Sequence, residues 1–336
     1  MLNFEVKKWD ISDTDHCWLE HLPINLYEEH TACKHCGTTM DVMTRVETTH
    51  GVCGLSLGGC FQCGHIQKTR AIRFDTLARH FHDRWLDNRE HRDFIERQDV
   101  FKTLQPWLPE TGRILEIGCG SGTNLITFAK NGYEVYGVDP SCSEIEIAKN
   151  RGIVNTCVGT AEGYLEEATE IFDVIFLYNV VQFLIDPFAI LSRCIELLKD
   201  DGVLYLSSGN FWSINIASSS HLGIIQNYPT LPTFQRWAKR EGMVILGETK
   251  QPVSLLMKKA FIDAPKPLLT IPTQADWRDK IRRDLERSRG EWPFGVRSIN
   301  LHRGRKIFLG RQIRTKQRGS ELNFVYDNEL PAVLLK

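Results

Sequence analysis

Three glycines at alternate positions, Gly118, Gly120 and Gly122, punctuate the stretch RILEIGCGSGTNL (residues 113–125), which begins as a strand and ends as a helix. Bare backbone at such a turn lets a ligand approach the peptide N–H groups closely. The spacing is G-x-G-x-G followed by Thr123, not the G-x-G-x-x-G of dinucleotide-binding turns. Glu116, two residues before the first glycine, adds a sign. A carboxylate repels a pyrophosphate and attracts an ammonium group. The turn is therefore expected to hold a cationic ligand. Cys119, inside it, reads as a small apolar filler and not as a nucleophile.

A second chemistry lies upstream. CKHCG (33–37) and CFQCGH (60–65) are two Cys-x-x-Cys-Gly units, and the glycine after each second cysteine permits a tight knuckle. Cys33, Cys36, Cys60 and Cys63 can turn four thiolates toward one ion at about 2.3 Å, a closed tetrahedral site for structural Zn2+ with no place for substrate. Cys53 and His65 are substitutes for one ligand, and Cys17 and Cys53 otherwise read as buried thiols. A thioredoxin-type pair would need one such unit on a βαβ element, and the Cys-x-x-x-Cys-x-x-Cys of radical iron–sulfur enzymes does not occur.

The elements that must carry these groups fall into regions. Residues 1–75 are rich in Cys and His and read as a zinc-ribbon-like β module. Residues 76–112 read as a helical linker or lid, with Leu77, Phe81, Trp85, Phe94, Ile95 and Phe101 among charges until Pro106 breaks the pattern. From 113 to 262 short apolar strands alternate with amphipathic helices, which predicts an α/β, doubly wound, largely parallel sheet. Gly132, Gly152 and Gly202 stand where helices are expected to stop. Residues 263–336 form a C-terminal extension, basic from Arg278 to Arg318, where fourteen Lys or Arg face four Asp or Glu.

The whole chain of 336 residues has a formal net charge of −1, so that segment leaves the remainder acidic. The most apolar run, FDVIFLYNVVQFLIDP, is too short to span a bilayer as a helix, so no membrane partner is expected. Ten cysteines, with no apolar leader in MLNFEVKKWDISDTD, point to reduced thiols in the cytoplasm.

With these residues in place, LEIGCGSG resembles the first motif of class I S-adenosylmethionine-dependent methyltransferases. EVYGVD, VGTAEGYL, FDVIFLYNV and LLKDDGVLYLSS are similar to the family's later motifs, in the right order, over roughly 150 residues. The resemblance implies a Rossmann-like sheet and S-adenosyl-L-methionine as cofactor. It implies that Glu116 and the glycine turn hold the methionine end and that Asp139, 21 residues after Gly118, takes the ribose, with Pro140 beside it. Ala161 or Glu162 would meet the adenine, and Tyr178 would border the site at the end of the fourth strand.

The chain also departs from the family. Where many small-molecule methyltransferases carry an acid and a histidine, this one has NVVQF, with Asn179 and Gln182. The Asn/Asp-Pro-Pro-aromatic signature of amino-methylation is missing there, and Cys142 is on the wrong element for cytosine C5 chemistry. His221 and Tyr228, in the insertion after the fifth strand, are the candidates for a general base. His80, His82 and His91 read as solvated helix residues.

The expected reaction is in-line methyl transfer to oxygen or carbon of a small molecule or sugar derivative. The alternatives are an RNA methyltransferase docking through the ribbon and residues 278–318, or a catalytically silent nucleic-acid-binding scaffold. The basic tail reads first as a segment folded against the acidic methyltransferase domain, with a phosphate-binding surface as the alternative. An N-terminal zinc module before such a domain is similar to arrangements in sugar C-methyltransferases and in ribosomal RNA guanine methyltransferases, though its spacing matches neither closely.

Overall fold

The computed structural model describes residues 27–48, 56–84, 98–209, 211, 225–228, 230–250, 252–259, 268–287, 296–301, 305–308, 316–317 and 320–321. His221 and His91 lie outside these residues, as do Cys17 and Cys53.

The chain opens with β1 (Tyr27–Glu29), β2 (Asp41–Thr48), β3 (Ser56–Gly59), β4 (Ile66–Lys68) and β5 (Arg70–Ile72). Helix α1 (Phe74–Arg84) follows, then α2 (Asp99–Leu104), whose continuation tightens into a 3-10 turn where Pro106 enters. The central unit runs β6 (Arg113–Ile117), α3 (Leu125–Lys130), β7 (Glu134–Asp139), α4 (Cys142–Asn150), β8 (Thr156–Val158), α5 (Ala161–Glu167) and β9 (Phe172–Tyr178). A 3-10 turn (Val181–Phe183) leads to α6 (Pro187–Glu196), β10 (Leu198–Ser208), β11 (Asn227–Tyr228), α7 (Leu231–Arg240), β12 (Met243–Lys250) and β13 (Val253–Lys259). Last come α8 (Gln274–Arg287), β14 (Val296–Leu301), β15 (Arg305–Phe308) and the short pair β16 (Lys316–Gln317) and β17 (Ser320–Glu321).

Seven strands form one sheet in the order β12-β13-β10-β9-β6-β7-β8. The pairs β8–β7, β7–β6, β6–β9 and β9–β10 are parallel, and β13 is antiparallel to both β10 and β12. The strands are apolar on both faces because helices cover both. Leu115, Ile117, Ile175, Leu177, Leu204 and Leu206 pack with Leu165, Phe188, Leu191 and Trp237 of α5, α6 and α7. The alternate residues Ile114, Val174, Phe176 and Val203 pack with Val100, Leu104, Leu125, Phe128, Ile145 and Ala148 of α2, α3 and α4. This period-2 split makes three layers, the doubly wound arrangement expected of the sequence.

Local chemistry sets the helix starts. Ser141, Thr160 and Asp186 cap α4, α5 and α6 by accepting from the amides of Glu144, Gly163 and Ala189, and Pro187 occupies the first turn of α6. Gly132 and Gly152 end helices in left-handed geometry, as expected. Gly202 does not. Helix α6 stops at Glu196, and Gly202 lies within β10 beside an irregularity in its pairing to β9, where a Cβ would come within 2.9 Å of the Lys199 carbonyl.

A second, six-stranded sheet has the order β11-β4-β3-β2-β14-β15, every pair antiparallel. It joins three separated parts of the chain: strands of the cysteine-rich region, a short strand from the insertion after β10, and two strands of the C-terminal extension. Trp277 of α8 is fully buried and stacks on Phe61, between Cys60 and Cys63, with ring centroids 4.7 Å apart.

Candidate functional site

In the parallel sheet the strand order reverses at β6, whose neighbours β7 and β9 lead to opposite sides. Open α/β sheets bind ligands outside the carboxyl ends of strands at such a point. A cavity of about 860 Å³ lies there, within the usual range for small-molecule sites. Its walls come from the turn after β6, the ends of β7 and β9, the start of α5, helix α4 and helix α1.

The glycine turn is built for close approach. Gly118 has φ +73°, and a Cβ there would stand 2.2 Å from Cγ2 of Val180. Its amide and that of Cys119 both donate to the Val138 carbonyl, at 2.7 and 3.1 Å, which clamps the turn to β7. Glu116 is buried and accepts a 2.6 Å hydrogen bond from the Asn124 side chain through Oε1. Asp139 accepts from the Gly120 amide and the Ser141 amide, each at 2.9 Å, one on each oxygen. A carboxylate has about four acceptor positions, so further donors can be received.

Glu116, Gly118, Gly120, Asp139, Pro140, Ala161, Glu162 and Tyr178 all line this one cavity. Gly122 does not. It also has φ +73°, and a Cβ would press on Ile153 and Ala148, so its bareness lets the turn sit on the end of α4. Cys119 is buried over Gly137, and burial, followed by the nearby Glu116 charge, pushes its thiol up; it fills space, as expected. Tyr228, a candidate general base, does not border the cavity. It is fully buried in β11, paired with Ile66 and set edge-on to Phe211 at 5.9 Å. The other candidate, His221, lies outside the described residues.

The cavity has two halves. One holds, among the described residues, four carboxylates, Glu116, Asp139, Glu144 and Glu162, and one guanidinium, that of Arg151, which donates to the Ser121 carbonyl at 2.9 Å. Burial holds the Glu162 carboxyl above its ordinary range. The other half is apolar: Phe74, Leu77, Ala78 and Phe81 of α1 face Phe183, Leu184 and Ile185 after β9. Phe81 and Phe183 meet edge to face at 5.5 Å. Asn179 also lines the cavity; it is the only described non-glycine residue at positive φ (+58°), and its amide donates to the Ser207 carbonyl at 2.8 Å. Gln182 is committed to the wall itself, donating to the Asn179 carbonyl at 2.9 Å and accepting from the Ser208 hydroxyl at 2.6 Å.

Sequence reasoning missed several of these groups. Asn124, Glu144 and Arg151 carry no local mark. Asn179 does carry one, since an asparagine after a buried strand is the commonest non-glycine residue at positive φ. The segment 76–112 was expected as a helical linker or lid; α1 begins at Phe74 and ends at Arg84, and Phe74, Leu77, Ala78 and Phe81 line the cavity.

The cysteine-rich region brings together the four cysteines that the spacing singled out. The sulfurs of Cys33, Cys36, Cys60 and Cys63 lie within 4.8 Å of one another, with Cys33–Cys63 and Cys36–Cys60 at 3.5 Å. A tetrahedron with bonds of about 2.3 Å has edges of about 3.8 Å, so the set fits one ion. The two knuckles repeat one design. The Gly37 amide donates to the Cys33 carbonyl and the Gly64 amide to the Cys60 carbonyl, both at 2.8 Å, with φ +74° and +86°. Hydrogen bonding from the Cys33 and Cys63 thiols draws Cys60 below the ordinary thiol range. His65 is fully buried, and burial pushes it down to about 3. Its Nε2 bonds Asn227, not the sulfur cluster.

Residues 80–245 match the sequence model of a family described as a methyltransferase domain. With the sheet order and the glycine turn, this identifies that part of the chain as a class I S-adenosylmethionine-dependent methyltransferase domain. Among curated proteins, a ubiquinone biosynthesis O-methyltransferase of Cereibacter sphaeroides is 36% identical over 126 residues, 35% of this chain and 51% of the relative. Its namesake in Histophilus somni is 31% identical over 123 residues, 33% and 52% of the two chains. The match thus spans about half the length of these relatives.

Among solved structures, a S-adenosylmethionine-dependent methyltransferase from Clostridium acetobutylicum aligns with TM-score 0.43 and 12% identity, covering 50% of this chain and 92% of that one. The plantazolicin methyltransferase BpumL in complex with SAH aligns with TM-score 0.42 and 19% identity, covering 50% and 84%.

Proposed function

We propose that the chain transfers the methyl group of S-adenosylmethionine to oxygen on a small, largely apolar acceptor. The observation that carries this is a single cavity lined both by carboxylates beside the glycine turn and by an apolar set from α1 and the segment after β9, with Asn179 also in its lining. The acidic half suits a ligand with two positive centres, an ammonium and a sulfonium, and disfavours a pyrophosphate. Glu116 and the glycine turn hold the methionine end. Asp139 accepts from the ribose hydroxyls, with Pro140 beside it. The Ala161 backbone and Glu162 meet the adenine edge, and Tyr178 closes the wall between adenine and acceptor. The Asn124 side-chain oxygen, buried at the cavity wall without a hydrogen-bond partner, is one further acceptor for the ammonium.

Bound there, the cofactor supplies a methyl group made electrophilic by the sulfonium. The protein's own part is positional. Phe74, Leu77, Phe81 and Phe183 desolvate the acceptor and exclude water, and Asn179 fixes the reacting atom by hydrogen bonding. Much of the rate of an in-line displacement comes from such orientation. Oxygen as the methylated atom is supported by the names of the curated relatives. The four cysteines hold one structural zinc ion, a closed site that takes no part in the transfer.

The test follows radiolabelled methyl transfer to a panel of hydroxylated aromatic and sugar acceptors. An aromatic product that forms with wild type and falls at least about tenfold with Asp139→Ala supports the reading, since hydrogen bonds to a charged group carry about 1.5–3 kcal/mol. Labelling confined to sugars overturns the apolar acceptor, and labelling of nothing overturns the activity.

A further inference from the structure

The cysteine cluster and the cavity are joined by a short, wholly buried chain of hydrogen bonds. Nε2 of His65, two residues after Cys63, lies 3.1 Å from Oδ1 of Asn227 in β11. The Asn227 side-chain nitrogen donates to the backbone carbonyl of Leu184, a residue of the apolar cavity wall. Because that nitrogen is the donor, Oδ1 accepts, so the Nε2 of His65 is the donor to it. Both residues are about 1% exposed.

Backbone bonds run alongside. The Lys68 amide donates to the Gln226 carbonyl at 2.8 Å, and the Gln226 amide donates to the carbonyl of Gln182, again a wall residue, at 2.8 Å. Phe188, one turn beyond the wall, is held between the rings of His35 and His65 at 4.9 and 5.0 Å. Strand β11 is thus a splint. One edge pairs with β4 immediately after the second knuckle, and its side chains and amides fasten the segment Gln182–Leu184. Among the described residues none of these hydrogen bonds reaches the glycine turn, which is clamped to β7 by its own amides and packs through Gly118 against Val180, just before the wall segment.

We propose that His65 and Asn227 are positioning residues through which the geometry of the metal-binding knuckle sets the acceptor wall of the cavity, leaving the cofactor half unaffected. A closed, non-catalytic ion would then control acceptor affinity at a distance. The proposal rests on the methyl-transfer reading only for the name acceptor wall; the physical coupling is a property of the chain.

Hydrogen–deuterium exchange on the full-length protein tests it, with S-adenosylhomocysteine affinity measured in parallel. Three samples are compared with wild type: chelator-treated wild type, Asn227→Ala and His65→Gln. Chelation and Asn227→Ala are each expected to speed exchange of the amides in 181–185 at least tenfold. Exchange in 117–124 should stay unchanged and S-adenosylhomocysteine affinity within twofold, with Asn227→Ala keeping its zinc. His65→Gln retains an N–H donor and is expected to stay closer to wild type than Asn227→Ala. Unchanged exchange in 181–185 after both perturbations overturns the proposal. Equal loosening of 117–124 also overturns it, since that is general destabilisation and not positioning. Absence of S-adenosylhomocysteine binding to wild type overturns the methyl-transfer reading separately, whatever the exchange pattern.

Discussion

Gly118 and Val180 meet so closely that the cofactor turn leaves no room for a methyl group. Alanine at Gly118 must adopt φ +73°, costing about 1–2 kcal/mol, and must also displace Val180, itself part of the cavity lining. Gly118→Ala is expected to lower the melting temperature and abolish S-adenosylhomocysteine binding, and adding Val180→Ala should recover part of the stability but not all of it. Glu162 gives a pH-dependent counterpart. Burial holds its carboxyl above the ordinary range, so its folded-state value exceeds the unfolded one. Its stabilising contribution is therefore complete below the unfolded value and is lost as pH rises through the folded one. Glu162→Gln should equal wild type in acid and exceed it at neutral pH, as read by melting temperature against pH; a cationic ligand should narrow that gap by favouring the carboxylate. The residues legible in the sequence were those whose meaning is local. Glu116 is marked by its distance from the glycines, and Asp139 by its place at a strand end. Asn124 and Glu144 gain meaning only when α3 and α4 fold back over the turn, which no short window reveals.

At the scale of elements, the strand–helix alternation from β6 to β10 was readable because the strands are apolar on both faces and α4, α5 and α6 each begin with a capping side chain. Gly202 misled, since a glycine before an apolar run fits a helix stop and a strand irregularity equally well. Strand β11 was invisible for another reason. Two residues, Asn227 and Tyr228, have no periodicity, and their strand exists only because β4 offers an edge 160 residues away in the chain. This also explains Tyr228, whose type suggested a base but whose ring is used in packing. The knuckles, by contrast, were plain from spacing alone. Purified protein should contain close to one zinc per chain by elemental analysis, and Cys33→Ser or Cys60→Ser should lose it together with several degrees of thermal stability. Retention of full stability by a zinc-free chain would contradict a structural ion.

The molecule as a whole is more interwoven than its linear composition suggests. The C-terminal extension reads as a basic appendage, yet β14 pairs with β2 in the sheet of the cysteine-rich region, and α8 seats Trp277 on the second knuckle. Non-local pairing of this kind is set by tertiary packing, not by propensity, so the extension's charge was legible and its partner was not. The crevice at the switch point organises the rest. Carboxylates of Glu116, Asp139, Glu144 and Glu162 line it together with the glycine turn, a setting that repels phosphates and attracts cations. Titration calorimetry of the wild-type chain with S-adenosylmethionine, and in parallel with NAD, tests that claim most directly. The account predicts saturable one-to-one binding of S-adenosylmethionine and none of the dinucleotide. Tighter binding of the dinucleotide, or no binding of S-adenosylmethionine, would contradict it.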